Sequence, residues 1–398
     1  MKNAVTLTLL CVLTISAAAR AADRPRLVGG KEVMKIDEED NAYGAKWGIN
    51  AMRLSPDGRR VLYLRKKMYK TVSADGKQGE RRGYKLYLRD LKTGKDTAVP
   101  VPALFDDDFA EAWLPMTVFD PAGKTLIVPA GQDANKNGLM EKTERCKVGL
   151  YDIASGKLKT LDVEGNVTFP TFHPDGKTLV VMAMEGAGNP SKVKICITPT
   201  DKIKFRTIDN PGLPRSISPT SGLMVLLLLT EGERPRPGRC VLYDMKTDTI
   251  KTELADQDQS RRIMKNNPQW TNDGRYVYHI MVKNEQRDGR NHRETLTRIW
   301  DVKAGQEVGI LSGVAPVGPG PGKGTMVLLR LPSRGGSKAE PRIVLHAQDD
   351  KTLGQKLHPL GDASTYPITT RGKWLLYRPE DAKGNRAVCL AEIALPKK

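Results

Sequence analysis

The chain alternates polar turns with short apolar runs, and the pattern recurs seven times. RRVLYL follows Gly58, KTLIV follows Gly123, KTLVVM follows Gly176, LMVLLLL follows Gly222, RYVYHI follows Gly274, TMVLLRL follows Gly324 and KWLLY follows Gly372. These runs are rich in leucine, β-branched and aromatic residues and are bounded by Gly, Pro, Asp or Ser. That combination predicts strands between turns, not helices. Ahead of most turns stands a second apolar segment, as in MRLSPDG, MTVFDPAG and PTFHPDG, so turn and flanks read as a hairpin. Downstream, KLYLRDLKTGKDTAVPV, KVGLYDIASGKLKTLDV, CVLYDMKTDTIKTEL and LTRIWDVKAGQEVGIL each add a third strand, a tight turn and a fourth strand.

The unit returns after roughly fifty residues, a spacing typical of β-propeller blades. The expected fold is all-β: a single seven-bladed β-propeller over residues 46–398, with six or eight blades as the alternatives. Units six and seven are degraded, and the last one ends after three strands. Within the N-terminal segment 22–45, RLVGGKEVMK at 26–35 carries enough apolar residues to supply the missing outer strand. Such a strand would close the ring and remove its exposed edges.

The phrases SPDGRRVLYL, HPDGKTLVVM and TNDGRYVYHI, with LYLRDLKTGK, LYDIASGK, LYDMKTDT and IWDVKAGQ, resemble the repeat of TolB-type, WD40-like (PD40) propellers. The resemblance covers units one to five and concerns the propeller part only. The additional N-terminal α/β domain of TolB has no counterpart in the short stretch between Ala22 and Trp47, so TolB's envelope partners are not carried over.

Residues 1–21 read as a secretory signal peptide. Lys2 opens it, Ala4 to Ile15 form an uncharged apolar stretch, and Ala19, Arg20 and Ala21 make a small-x-small cleavage site. The expected address is therefore periplasmic or extracellular. That apolar stretch is too short to span a bilayer, and the run from Leu223 to Leu229 suits a buried strand, so no integral membrane span is expected. Cys11 lies in the leader. Cys146, Cys196, Cys240 and Cys389 fall near the starts of third strands in different units, without CxxC spacing, and read as buried free thiols.

A formal net charge of +18 directs attention to anionic partners. For an exported chain these are an acidic polymer or an envelope or extracellular protein; nucleic acid is not expected. Length variation concentrates in the connections between second and third strands, which are read as recognition loops over a rigid scaffold. Arg65, Lys66, Lys67, Lys70, Arg81 and Arg82 make a basic patch in unit one, joined by Arg287, Arg290 and Arg293 in unit five.

One metal motif stands out. Asp133, Asn135, Asn137 and Gly138, with Glu144 at the final position, match the calcium loop D-x-[DN]-x-[DN]-G-x5-E. Asp133, Asn135 and Asn137 would offer side-chain oxygens, Leu139 a backbone carbonyl, Glu144 a bidentate carboxylate and Glu141 a ligand through water. The bland alternative is an Asn/Gly-rich turn followed by unrelated acids. The expected cofactor is one structural Ca2+.

Catalytic signals are sparse. His173, His279, His292, His346 and His358 are scattered among units, and no nucleophile-elbow, zinc-protease or phosphate-loop motif is present. Asp106, Asp107 and Asp108 lie between units one and two; they read as solvated acids, with a site for a cation or a basic ligand as the alternative. The expectation is a non-enzymatic, monomeric binding or scaffolding module. The rival is a propeller lyase or hydrolase acting on acidic carbohydrate, which convergent acids, histidine and arginine around the axis would favour.

Overall fold

The computed structural model describes residues 24–35 and 52–396, apart from 73–75, 102–103, 107–116, 132, 135, 137–138, 141–146, 162, 164–165, 185–192, 200–205, 209–211, 230–236, 256–267, 288–289, 332–341, 350–355, 361–364 and 380–386. Among the described residues every regular element is a strand, and no helix is long and apolar enough to cross a membrane.

The strands form six four-stranded sheets and one larger sheet, arranged as a β-propeller. The larger sheet comes first in the chain: Met52–Leu54, Arg60–Val72 and Gln78–Asp90, edged by the short pieces Asp96–Ala98, Leu104–Phe105 and Leu139–Met140. The next five are antiparallel meanders that begin with Val118–Phe119, Asn166–Phe172, Gly212–Ile217, Gln269–Trp270 and Val314–Pro319. The seventh contains Thr365–Arg371, Trp374–Pro379 and Ala387–Ala394, and Arg26–Lys35 lies antiparallel beside the last of these, from Arg26 opposite Ala394 to Lys35 opposite Ala387.

Strand periodicity explains how the sheets pack. Side chains of a strand alternate between its two faces, and each second strand here is buried on both. In Leu223–Leu229, Met224 and Leu226 join a cluster with Val180 of the third sheet, while Val225 and Leu227 join one with Trp270 and Val277 of the fifth. Leu126 and Val128 likewise face the first sheet, and Ile127 faces the third. Each fully buried aliphatic side chain contributes roughly 1.5–3 kcal/mol. The core is thus a series of clusters between neighbouring sheets, and the series returns to its start: Ile368, Leu376 and Val388 of the seventh sheet pack with Met52, Leu54, Val61 and Tyr63 of the first.

Four of the Gly-containing turns, in sheets one, two, three and five, fold alike. In the first, Ser55 N–H donates to the Arg60 carbonyl (2.9 Å) and Gly58 N–H to the Ser55 carbonyl (3.0 Å). The Ser55 hydroxyl also accepts from Arg60 N–H (2.9 Å) and donates to Asp57 (2.6 Å). Asp120, His173 and Thr271 make the same two backbone bonds in the second, third and fifth sheets. The turns also touch around the ring. A Cβ on Gly58 would sit 2.5 Å from the Trp374 ring, and one on Gly123 3.3 Å from Pro56. Close approach to the neighbouring turn, together with φ of +70° and +68° at these two positions, is why glycine recurs there.

Two expected loops are strands instead. The basic segment of unit one is a β-hairpin, paired continuously from Arg60 opposite Asp90 to Val72 opposite Gln78. The basic segment of unit five is another, paired from Tyr276 opposite Asp301 to Arg287 opposite Arg290. Both prolong the second and third strands of their sheets.

Candidate functional site

The hairpin of the first sheet holds most of the predicted basic residues. Its register puts the positions of Lys67 and Arg81 on one face, and those of Lys66, Lys70 and Arg82 on the other. Lys70 is exposed, as is Met68 beside it. Arg65 differs from its expected role. Its guanidinium donates to Tyr63 Oη (2.8 Å) and Asp96 Oδ2 (3.2 Å) and lies 4.7 Å from the Tyr87 ring centroid, so it braces the foot of the hairpin. Arg287, Arg290 and Arg293 belong to the fifth sheet, whose hairpin mixes them with Glu285 and Glu294. Sheets two to four intervene on one side and sheets six and seven on the other. The two basic segments therefore stand on sheets that are not neighbours in the chain order.

Of the predicted calcium ligands, Asn135, Asn137, Glu141 and Glu144 lie outside the described residues, as do Gly138, Cys146, Asp107 and Asp108. Asp133 is half-buried, and its carbonyl accepts from Lys136 N–H (3.3 Å) in a turn that places Lys136 at φ +56°. Leu139–Met140 runs parallel to Leu104–Phe105, and Phe105 pairs with Tyr84 of the long hairpin. Met140, Phe105 and Tyr84 are all buried there. Gly83 permits this contact, since a Cβ on it would stand 3.0 Å from Leu104 Cβ and 3.1 Å from Leu139 Cδ2. The segment after Asp133 is thereby stitched to the base of the basic hairpin, a juxtaposition between units that no local pattern in the chain announces. Among the described residues no group of three or more His, Cys, Asp or Glu is placed to hold a metal ion.

Other predicted polar residues serve the core or its turns. His279 is buried, neither ring nitrogen has a hydrogen-bond partner, and burial lowers its pKa to about 3, leaving it neutral. His346 Nδ1 pairs with Tyr278 Oη (2.8 Å). Cys240 is fully buried, which pushes its thiol up to about 12.

Sequence reading named no residue around the axis, and a cavity of about 350 Å³ lies there. Its wall draws on the first strands, or the turns after them, of sheets two to seven, which only an axial space could touch. Arg215 and Arg371 line it together with Ser216, Gln269, Trp270 and several prolines, and no acid or histidine is among the described lining residues. Those arginines sit at breaks in the repeat, and only the aligned strands reveal them as breaks.

No family model matches the chain, and no curated protein matches it. Many solved structures do. The β-propeller domain of the Trilobed protease from Pyrococcus furiosus is 12% identical over 88% of this chain and 98% of its own, with a TM-score of 0.51. The oligogalacturonate lyase from Vibrio parahaemolyticus is 11% identical over 88% and 90%, also at 0.51. TolB from Acinetobacter baumannii is 15% identical over 66% of this chain at a TM-score of 0.42, and the match spans 54% of that TolB. At these identities the likeness concerns the fold alone: the chain is a β-propeller, like the protease domain and the lyase.

Proposed function

We propose that the protein is an exported β-propeller that binds an anionic polymer through the basic hairpin of its first sheet. The observation that carries this is the hairpin itself: between Arg65 and Lys85 it holds eight Lys or Arg against two acids, on strands paired well beyond the core. Charges spread over both faces of a two-stranded ribbon suit a chain that wraps the ribbon better than a flat surface that meets one face. In this reading the larger first sheet counts as a blade, giving seven, and Arg26–Lys35 closes the ring as the outer strand of the last. The Asp133 loop holds a calcium ion that orders the segment stitched to the hairpin's base. The ion would supply charge and rigidity there, with Asp133 and Glu144 as its carboxylate ligands.

A second reading, a lyase or hydrolase of acidic carbohydrate, draws support from the two arginines in the axial cavity. The lyase with the same fold acts on oligogalacturonate. Binding is favoured over catalysis because the described residues of that cavity wall are arginine, amide, hydroxyl and apolar groups, whereas general bases are usually carboxylates or histidines.

The test is polygalacturonate binding by the mature protein at increasing salt, with and without calcium. Affinity should fall with ionic strength. Changing Lys66, Lys67, Arg81 and Arg82 to Gln together should weaken binding by about tenfold or more and flatten that salt dependence. Unchanged affinity in this variant would refute the hairpin as the site. Calcium retained after Asp133→Ala with Glu144→Ala, measured by elemental analysis, would refute the metal loop. An ultraviolet-absorbing unsaturated product would establish the lyase reading instead.

A further inference from the structure

The repeat is regular enough for its exceptions to carry meaning. In sheets three, four, six and seven the first strand holds one residue too many. Its register slips between Thr168 and Thr171, Pro214 and Ser216, Pro316 and Gly318, and Pro367 and Thr369. Such a β-bulge bends the strand and re-aims the extra side chain. In sheets six and seven that residue is Val317 or Ile368, and both pack into clusters between sheets. In sheet four it is Arg215. An apolar residue satisfies the fold at the equivalent position of sheets six and seven, whereas sheet four places a guanidinium there, in the wall of the cavity.

Arg371 is the second exception. Ser55, Asp120, His173, Ser218 and Thr271 stand where the first strand enters its turn, and each donates its N–H across the turn's mouth. All five also accept a backbone N–H through the side chain within the turn. In the seventh sheet the turn shrinks to Gly372 and Lys373, with Arg371 directly opposite Trp374. An arginine replaces the small turn-closing residue and joins the cavity wall instead.

Both exceptions thus converge on one axial space. We infer that this cavity is a second binding site, for a carboxylate-bearing ligand of one or two monosaccharide or amino-acid units, held by Arg215 and Arg371. Its volume of about 350 Å³ suits a small molecule. Guanidinium groups match carboxylates through paired, charge-assisted hydrogen bonds.

The wall around them is stiff. Pro170, Pro214, Pro268 and Pro319 fix the backbone on the axial edge, where a missing N–H deprives no neighbouring strand of a bond. Trp270 Nε1 donates to Ser216 Oγ (3.0 Å), leaving the Ser216 hydroxyl proton for another acceptor. Asn272 Nδ2 donates to the Gly320 carbonyl (2.5 Å), tying the fifth sheet to the sixth beside the cavity.

Electrostatics point the same way. Burial lowers the Arg215 pKa to about 10. Arg371 is exposed and open to a ligand arriving from solvent. Positive charge in a partly desolvated site is stabilised when an anion enters. The lining lies where first strands run into their turns, at the opposite end of the sheets from the long hairpins. This site is therefore separate from the polymer-binding hairpin.

The test is calorimetric titration of the mature protein with D-glucuronate, with D-glucose as the uncharged control and inorganic phosphate as a rival anion. Glucuronate should bind and glucose should not. Arg371→Gln should weaken glucuronate binding by about tenfold or more, with Arg371→Lys intermediate because it keeps the charge and loses the fork. The Gln variant should melt as a cooperative fold and keep polygalacturonate affinity, while the four-residue hairpin variant should keep glucuronate affinity. Equal affinity for glucose, preference for phosphate, or unchanged glucuronate binding in Arg371→Gln would each overturn the assignment.

Discussion

Arg215 shows how one side chain separates function from stability in this fold. The bulge that carries it is a generic feature, since the same slip places Val317 and Ile368 in the core of other sheets. A guanidinium in that position carries a desolvation cost, visible in its lowered pKa. Arg215→Met keeps much of the side chain's length and removes its charge, so it is expected to abolish glucuronate binding while the protein still melts cooperatively. Calorimetric titration and a thermal melt check the two halves of this expectation, and unchanged glucuronate binding would refute the role of the arginine. At this scale the chain was least legible. An arginine in RSISPTSG looks like any surface cation, and only the strand register shows it to be the residue in excess.

Among elements, the turns were read correctly because their chemistry is local. A positive-φ glycine, a small polar residue ahead of it and flanking apolar runs all lie within a few positions of one another. The structure adds that the turn glycines of the first six sheets approach a neighbouring sheet closely. Gly274 and Gly372 separate the two effects. Both have positive φ, +67° and +58°, but a Cβ on Gly274 would collide with Thr220 and Ser218, whereas one on Gly372 meets nothing within 4 Å. Gly372→Ala should cost about 1 kcal/mol from backbone strain alone. Gly274→Ala should cost at least twice that, read as a shift in denaturant midpoint, and equal costs would argue against turn-to-turn packing. The long hairpins of sheets one and five were misread as loops for a related reason. Beyond the core a two-stranded ribbon has no buried face, so the alternation that marks a strand disappears even though the backbone pairing continues.

For the whole molecule, edges decide stability. Arg26–Lys35 pairs along Ala387–Ala394, and the Val33 carbonyl accepts from Arg89 Nε (3.0 Å) across the gap to the first sheet. Removing residues 24–35 should lower the melting temperature and promote self-association through the exposed edge of Ala387–Ala394, as light scattering would register. A truncated protein that stays monomeric and melts like the parent would refute the closing role. Strand, turn and approximate repeat were determined by the sequence alone, because they depend on side-chain periodicity and on turn chemistry that acts over a few residues. The tertiary structure decided which sheet faces which, which residue is in excess in four of the first strands, and that Arg215 and Arg371 line one cavity. Those outcomes depend on contacts between residues far apart in the chain, which no local pattern encodes.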